Sequence, residues 1–171
     1  MEFKTFETER LILTPTQAAD AEFIFELLNS PKWMQYIGDR NVKSVEEAEN
    51  YIKNRMLPPL EKNGFSNYTV QRKTDLAKIG TCGLYDREGL DGVDIGFAFL
   101  PKFEKQGFAF EAASKLLCEA KNSFGLKTVT AFTTKDNYSS QKLLEKLGLK
   151  KSGFIRIPND EEELLFYKIE L

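Results

Sequence analysis

The hydrophobic period of this chain changes at Gly107, and that change limits the folds open to it. Upstream, Asn67 to Arg72, Lys78 to Tyr85 and Val93 to Leu100 read as strands, the last two joined by the turn-rich segment 86–92. Downstream, Ala109, Ala112, Ala113, Leu116, Leu117 and Ala120 recur at i, i+3, i+4 spacing, predicting a well-buried helix that ends at Phe124-Gly125. A strand therefore runs through one short loop straight into a helix N-terminus. The chain must pack helices on a sheet, which makes it a mixed α/β (α+β) fold.

The flanks agree with this. Arg10 to Thr14 reads as a first strand stopped by Pro15, and Ala18 to Asn29 as a helix with Phe23, Ile24, Leu27 and Leu28 on its apolar side. Ser44 with Glu47 is a capping-box signal for a second helix running to about Leu57, before Pro58-Pro59. After the long helix come a strand at Lys127 to Thr133, a helix at Ser140 to Leu147, and a closing strand pair, Lys150 to Ile157 with Glu163 to Glu170. The expected order is β-α-α-β-β-β-α-β-α-β-β. With 171 residues, 42% of them hydrophobic, and no linker-like tract, residues 1–171 are expected to form a single domain.

Charge and residue usage exclude several function classes. A net charge of -2 is not that of a nucleic-acid binder, and no long apolar run predicts a membrane span. The charged N-terminus is unlike a secretory signal, so a cytoplasmic location is expected. Histidine is absent, which removes the Ser-His-Asp and Cys-His nucleophile arrangements. Cys82 and Cys118 sit apart in apolar contexts and read as buried thiols rather than a disulfide or a zinc site, and no metal is expected.

The segment from Asp94 to Ala109 is the most informative stretch, and its residues alone leave open a phosphate site and a plain strand-to-helix connection. Unpaired backbone N–H groups and the positive end of a helix dipole attract phosphate at such a turn, Gly107 and Ala109 allow close approach, and Lys105 adds charge. At Glu7 to Leu13, Ile79 to Leu84, and Asn137 to Ser140 with Leu143 to Leu149, the chain resembles the GCN5-related N-acetyltransferase (GNAT) superfamily, in particular its RimJ/RimL-like branch of ribosomal-protein-alanine acetyltransferases. The resemblance spans nearly the whole chain. It implies a strongly twisted mixed sheet of about seven strands, split by a bulge in the fourth, flanked by about four helices.

It also implies an acetyl-CoA-dependent N-acetyltransferase acting on a primary amine. The family's pyrophosphate pattern falls on Glu104 to Ala109, so Lys105, Gln106, Gly107, Phe108 and Ala109 are expected to line the pyrophosphate. The backbone of Phe97 and Phe99 would pair with the pantetheine arm as an added strand would, and Asn137 would bond the arm from the other side. Two residues depart from the pattern: Glu104 stands where Gln or Arg is usual, and Lys105 where a glycine often sits.

Transfer by direct attack needs a group to accept the amine proton, a donor for the thioester carbonyl and an acid for the leaving thiolate. Asp94 is the first candidate base, acting through a water, with Asp86 and Glu88 as alternatives. The family's usual acidic tyrosine falls on Leu144, which leaves Ser140 or a water, and Ser140 also fits a helix N-cap. Glu111 reads as structural or as a surface charge. Trp33, Tyr36 and Asp39 belong to a cluster, 33–40, expected on a loop of the acceptor site, with core packing equally open for Trp33 and Tyr36. Tyr68, with Phe65, is open between acceptor site and core.

The acceptor stays open among a protein N-terminus, a polyamine, an amino sugar and other small amines. Neither nucleic acid nor membrane is an expected partner, and monomer and homodimer are both open. A CoA-binding domain without catalysis is the rival reading. A different phosphate-binding fold finds no GxGxxG or GxxxxGK[ST] loop here.

Overall fold

The strands of this computed structural model, which describes residues 2–171, are β1 (Phe6–Glu7), β2 (Leu11–Pro15), β3 (Asn67–Arg72), β4 (Lys78–Asp86), β5 (Val93–Phe99), β6 (Thr128–Thr133), β7 (Lys150–Ile155) and β8 (Leu164–Glu170). The helices are α1 (Ala21–Leu28), α2 (Pro31–Tyr36), α3 (Val45–Tyr51), α4 (Leu57–Asn63), α5 (Phe108–Asn122) and α6 (Tyr138–Lys146). The strands form one eight-stranded sheet in the order β1-β2-β3-β4-β5-β6-β8-β7, antiparallel except where β5 meets β6.

The period change at Gly107 is the turn from β5 to α5. Ala112, Ala113, Leu116 and Ala120 are fully buried where α5 lies on β2, β4 and β5. The small alanines bring the helix close to the sheet, and beyond its end at Asn122 the φ of 67° at Gly125 lets the Leu126 N–H return to the Ala120 carbonyl.

The helical first half differs from the sequence expectation in two places. The second helix does not stop at Pro58-Pro59 but continues to Asn63 through a π-helical stretch, Ile52–Met56. The wider turn restarts hydrogen bonding, so Pro58 falls in the first turn of α4, where its missing N–H costs nothing. Residues 33–36 of the expected loop lie on the short helix α2, because Pro31, which ends α1, also stands at the start of a new helix. Ser44 caps α3 as expected, its Oγ accepting from the Glu47 N–H at 3.1 Å.

The feature that creates the site is a fork. β5 pairs with β4 from Gly80 opposite Phe99 to Asp86 opposite Val93 with no register shift, so the expected bulge in this strand is absent from that pairing. With β6 it shares the single pair Asp94 opposite Thr130, and beyond it the two parallel strands diverge. The Leu100 N–H donates to Ile79 of β4 at 3.0 Å, while the Val93 carbonyl accepts from Thr130 Oγ1 at 3.3 Å. Strand alternation therefore directs the backbone groups of Ile95, Phe97 and Phe99 into the gap.

Candidate active site

An open cleft of about 1710 Å³ runs through this fork. That exceeds the roughly 300–1,000 Å³ of a drug-sized ligand site, leaving room for an extended molecule and a second substrate. One wall is the loop from β5 to α5. Lys105 sits at φ 58° and Gly107 at φ 82°, both in the left-handed region, which is why a glycine suits the Lys105 position. Among the described residues no protein group accepts from the N–H groups of Lys105, Gln106, Gly107, Phe108, Ala109 or Phe110. Lys105, Gly107, Phe108 and Ala109 line the cleft; the Gln106 side chain does not, and its Nε2 donates instead to the Lys102 carbonyl at 3.2 Å.

Glu104, the acidic departure, is not left bare. Lys32 of α2 places Nζ 2.5 Å from its Oε2, so the pair brings little net charge to the loop. This lysine drew no attention in the sequence, because α2 was not expected and a single exposed lysine carries no pattern.

The cleft floor is a layered set of side chains. A Cβ on Gly83 would come within 2.4 Å of the Tyr85 hydroxyl, and one on Gly96 within 3.1 Å of its ring, so this facing glycine pair lets the ring lie flat on the sheet. Tyr85 donates to Asn67 Oδ1 at 2.6 Å. Arg87 lies over that ring at 4.7 Å and grips Asp94 with two bonds, Nε to Oδ1 at 2.7 Å and Nη2 to Oδ2 at 3.3 Å. Asp94 is 5% exposed; burial pushes its carboxyl above the ordinary value, against the pull of Arg87.

The third side belongs to α6 and the end of β6. Asn137, not Ser140, is the cap of α6: its Oδ1 accepts from the Ser140 N–H at 3.3 Å, and Ser140 sits within the first turn. The Ser140 hydroxyl has no protein partner among the described residues and lines the cleft. It lies one turn before Leu144, on the same face, and Leu144 is 1% exposed. Thr134 adds a buried Oγ1 with no partner among the described residues, which sequence reasoning missed because a threonine just past a strand gives no signal.

The opposite wall holds Trp33, Tyr36 and Asp39. Trp33 packs its ring on the core, and its Nε1 has no partner among the described residues. Asp39 accepts from the Asn41 N–H at 2.7 Å, a bond that ties the turn and holds its carboxyl below the ordinary value. Tyr68 is the exception: it is 0% exposed, absent from the cleft and packed on Phe6 at 5.6 Å, because β3 is a central strand covered on both faces. It belongs to the core, as does Phe65. Cys82 is buried, its thiol pushed up to about 12 by desolvation, but Cys118 is exposed on α5, contrary to expectation; both thiols are free.

The acetyltransferase (GNAT) domain family matches residues 10–150. YoaA of Bacillus subtilis (strain 168), named an uncharacterized N-acetyltransferase, is 32% identical over 155 residues, covering 90% of this chain and 87% of that protein. An acetyltransferase from Agrobacterium tumefaciens str. C58 superposes with a TM-score of 0.84 at 20% identity, over 100% of this chain and 96% of that one. RimL, a ribosomal L7/L12 alpha-N-protein acetyltransferase solved in complex with coenzyme A, superposes with a TM-score of 0.77 at 15% identity over 98% of each chain. Among the described residues no group of three or more His, Cys, Asp or Glu could hold a metal, and no helix is long and apolar enough to cross a membrane. The matched family, together with the β5–β6 fork and the helix that follows it, makes this chain an N-acetyltransferase of the GNAT family.

Proposed function

We propose that this chain, as one domain over residues 1–171, transfers an acetyl group from acetyl-CoA to a primary amine by direct attack. The observation that carries the reading is the run of unpaired N–H groups from Lys105 to Phe110 beside the open backbone of Phe97 and Phe99. The first fits a pyrophosphate and the second a pantetheine arm laid in as an extra strand. Asn137, whose Oδ1 already caps α6, has its Nδ2 left for the arm from the other side.

In the transfer, a backbone N–H of the Phe97 to Phe99 segment polarises the thioester carbonyl. The amine nitrogen bonds to the carbonyl carbon and its proton passes through a water to Asp94, whose raised affinity for a proton suits it to the task. The C–S bond breaks, and the thiolate takes a proton relayed from solvent water through the Ser140 hydroxyl, which gives one proton and takes another, while Asp94 later returns the amine proton to solvent. Trp33, Tyr36 and Asp39 hold the acceptor.

The acceptor is a protein N-terminus or a small amine. An α-amino group titrates near about 7.7–8.0, against about 10.4 for a lysine, so it needs only a modest base. A place beside the RimJ/RimL-like enzymes is supported by neighbours such as RimL, and a cytoplasmic setting suits such a substrate. The test is acetyl transfer from acetyl-CoA to a panel of N-terminal peptides and small amines. Turnover on one class supports the reading, whereas folded protein that binds acetyl-CoA and acetylates nothing across the panel contradicts it.

A further inference from the structure

We propose that Arg10, in the bend between β1 and β2, is a positioning residue for the cofactor loop, holding it from behind in the shape that receives a pyrophosphate; this rests on the acetyl-CoA reading above. Arg10 does not line the cleft. Its Nη1 donates to the Gln106 carbonyl at 3.0 Å, and its Nε to Glu111 Oε2 at 2.6 Å. Its guanidinium lies 4.3 Å from the centre of the Phe108 ring. One side chain thus touches three residues around the start of α5.

The Gln106 contact sets a direction. In a trans peptide the C=O and the next N–H point opposite ways. Drawing the Gln106 carbonyl back to Arg10 therefore turns the Gly107 N–H away from Arg10, to the side where Gly107 lines the cleft. In a continuing helix that carbonyl would accept from Phe110; here the left-handed Gly107 interrupts the helix and Arg10 supplies the bond. A Cβ on Gly107 would stand 3.3 Å from Arg10 Nη2, so loop and guanidinium are in contact.

The Glu111 contact removes a competitor. A carboxylate in the first turn of α5 faces the same helix end as an incoming anion. Glu111 is occupied from three directions, by Arg10 Nε, by the Arg10 N–H at 2.9 Å and by the Thr8 hydroxyl at 2.6 Å. Arg10 neutralises that charge and aims the loop with one planar fork, which a lysine cannot do.

A surface ion pair with no such role contributes little and would leave ligand binding unchanged. The discriminating probe is S-acetylpantetheine, which keeps the thioester and arm of acetyl-CoA and lacks the pyrophosphate. Dissociation constants for both are measured with the intact protein, by calorimetry for acetyl-CoA and by NMR at millimolar concentration for the fragment. We expect Arg10→Ala to weaken acetyl-CoA binding about tenfold, to leave S-acetylpantetheine within about twofold, and Arg10→Lys to fall between. Should the alanine variant not fold, the lysine variant carries the same readout.

If acetyl-CoA binding is unchanged, or both ligands weaken equally in a folded variant, Arg10 does not position the loop. If the wild-type protein binds acetyl-CoA no better than S-acetylpantetheine, the pyrophosphate reading of the loop fails first and takes this inference with it.

Discussion

The two walls of the cleft are built on different principles. The wall proposed for the cofactor, from β5 through the loop into α5, offers main-chain groups: the backbone of Phe97 and Phe99 and the N–H run from Lys105 to Phe110. The wall proposed for the acceptor, α2 and the turn after it, offers side chains: Trp33, Tyr36 and Asp39. Main-chain recognition tolerates nearly any side chain as long as the backbone path is kept, so Glu104 and Lys105 can stand in unusual positions. Side-chain recognition changes with each substitution. The cofactor wall should therefore be sensitive to changes that alter backbone shape, and the acceptor wall to changes of side-chain chemistry.

The largest expected effect lies between the walls, at the floor. Asp94→Asn should lower turnover about 100-fold, the low end of what a general base supplies, with acetyl-CoA affinity nearly unchanged. Its pH profile sharpens the point. Because burial raises the Asp94 carboxyl and Arg87 lowers it, turnover should climb with pH through a limb above the ordinary carboxylate value, and Arg87→Gln should move that limb further up. A limb that moves down on removing Arg87 would place the base elsewhere.

Next comes the shape of the cofactor wall. Gly107→Val puts a β-branched residue at φ 82° against Arg10, and we expect acetyl-CoA affinity to fall about thirtyfold, with a smaller loss of turnover at saturation. An unchanged affinity would break the claim that backbone shape carries recognition. Lys32→Ala is smaller: it exposes Glu104 to the bound anion and should weaken acetyl-CoA about threefold, an effect that Glu104→Gln relieves in the double variant.

The smallest effect lies in the β3–β4 turn, which does not line the cleft. Asp75 accepts from Arg72 and from the Ala77 N–H, which hold its carboxyl down to about 2. A folded-state value below the unfolded one contributes stability that is present above about pH 4 and lost as pH falls toward 2. An NMR titration of Asp75 should show that midpoint, and Arg72→Gln should return it toward 3.8.

The same contrast explains what could be read from the sequence. Periodicity located β3 through α5 to within a residue or two, since the apolar faces of Ala112 to Ala120 and of the strands repeat regularly. The turn into α5 was legible because its requirement, a glycine ahead of a buried helix, is local, whereas its proposed use for a cofactor came from the family resemblance. Arg10 and Lys32 were not legible as loop supports: their partners, Glu111 and Glu104, lie 101 and 72 positions away, and only the fold brings them together. Thr8 and Arg10 did stand inside the opening stretch that resembled the family, without a reason until their bonds to Glu111 supplied one. Tyr68 illustrates the reverse, since an aromatic near others reads as core or cleft until burial decides. The acceptor remains the least legible part, because α2 depends on a proline that reads equally as a stop and as a start.

The central claim is that main-chain groups at the β5–β6 fork and the start of α5 hold acetyl-CoA. A backbone amide NMR titration with acetyl-CoA addresses it directly, with ATP as a control. The account predicts saturable shifts concentrated at Phe97, Phe99 and Lys105 to Phe110, small changes at Trp33 and Tyr36, and a weaker, different response to ATP. Saturation with shifts centred elsewhere, or no saturation in a folded sample, would contradict it.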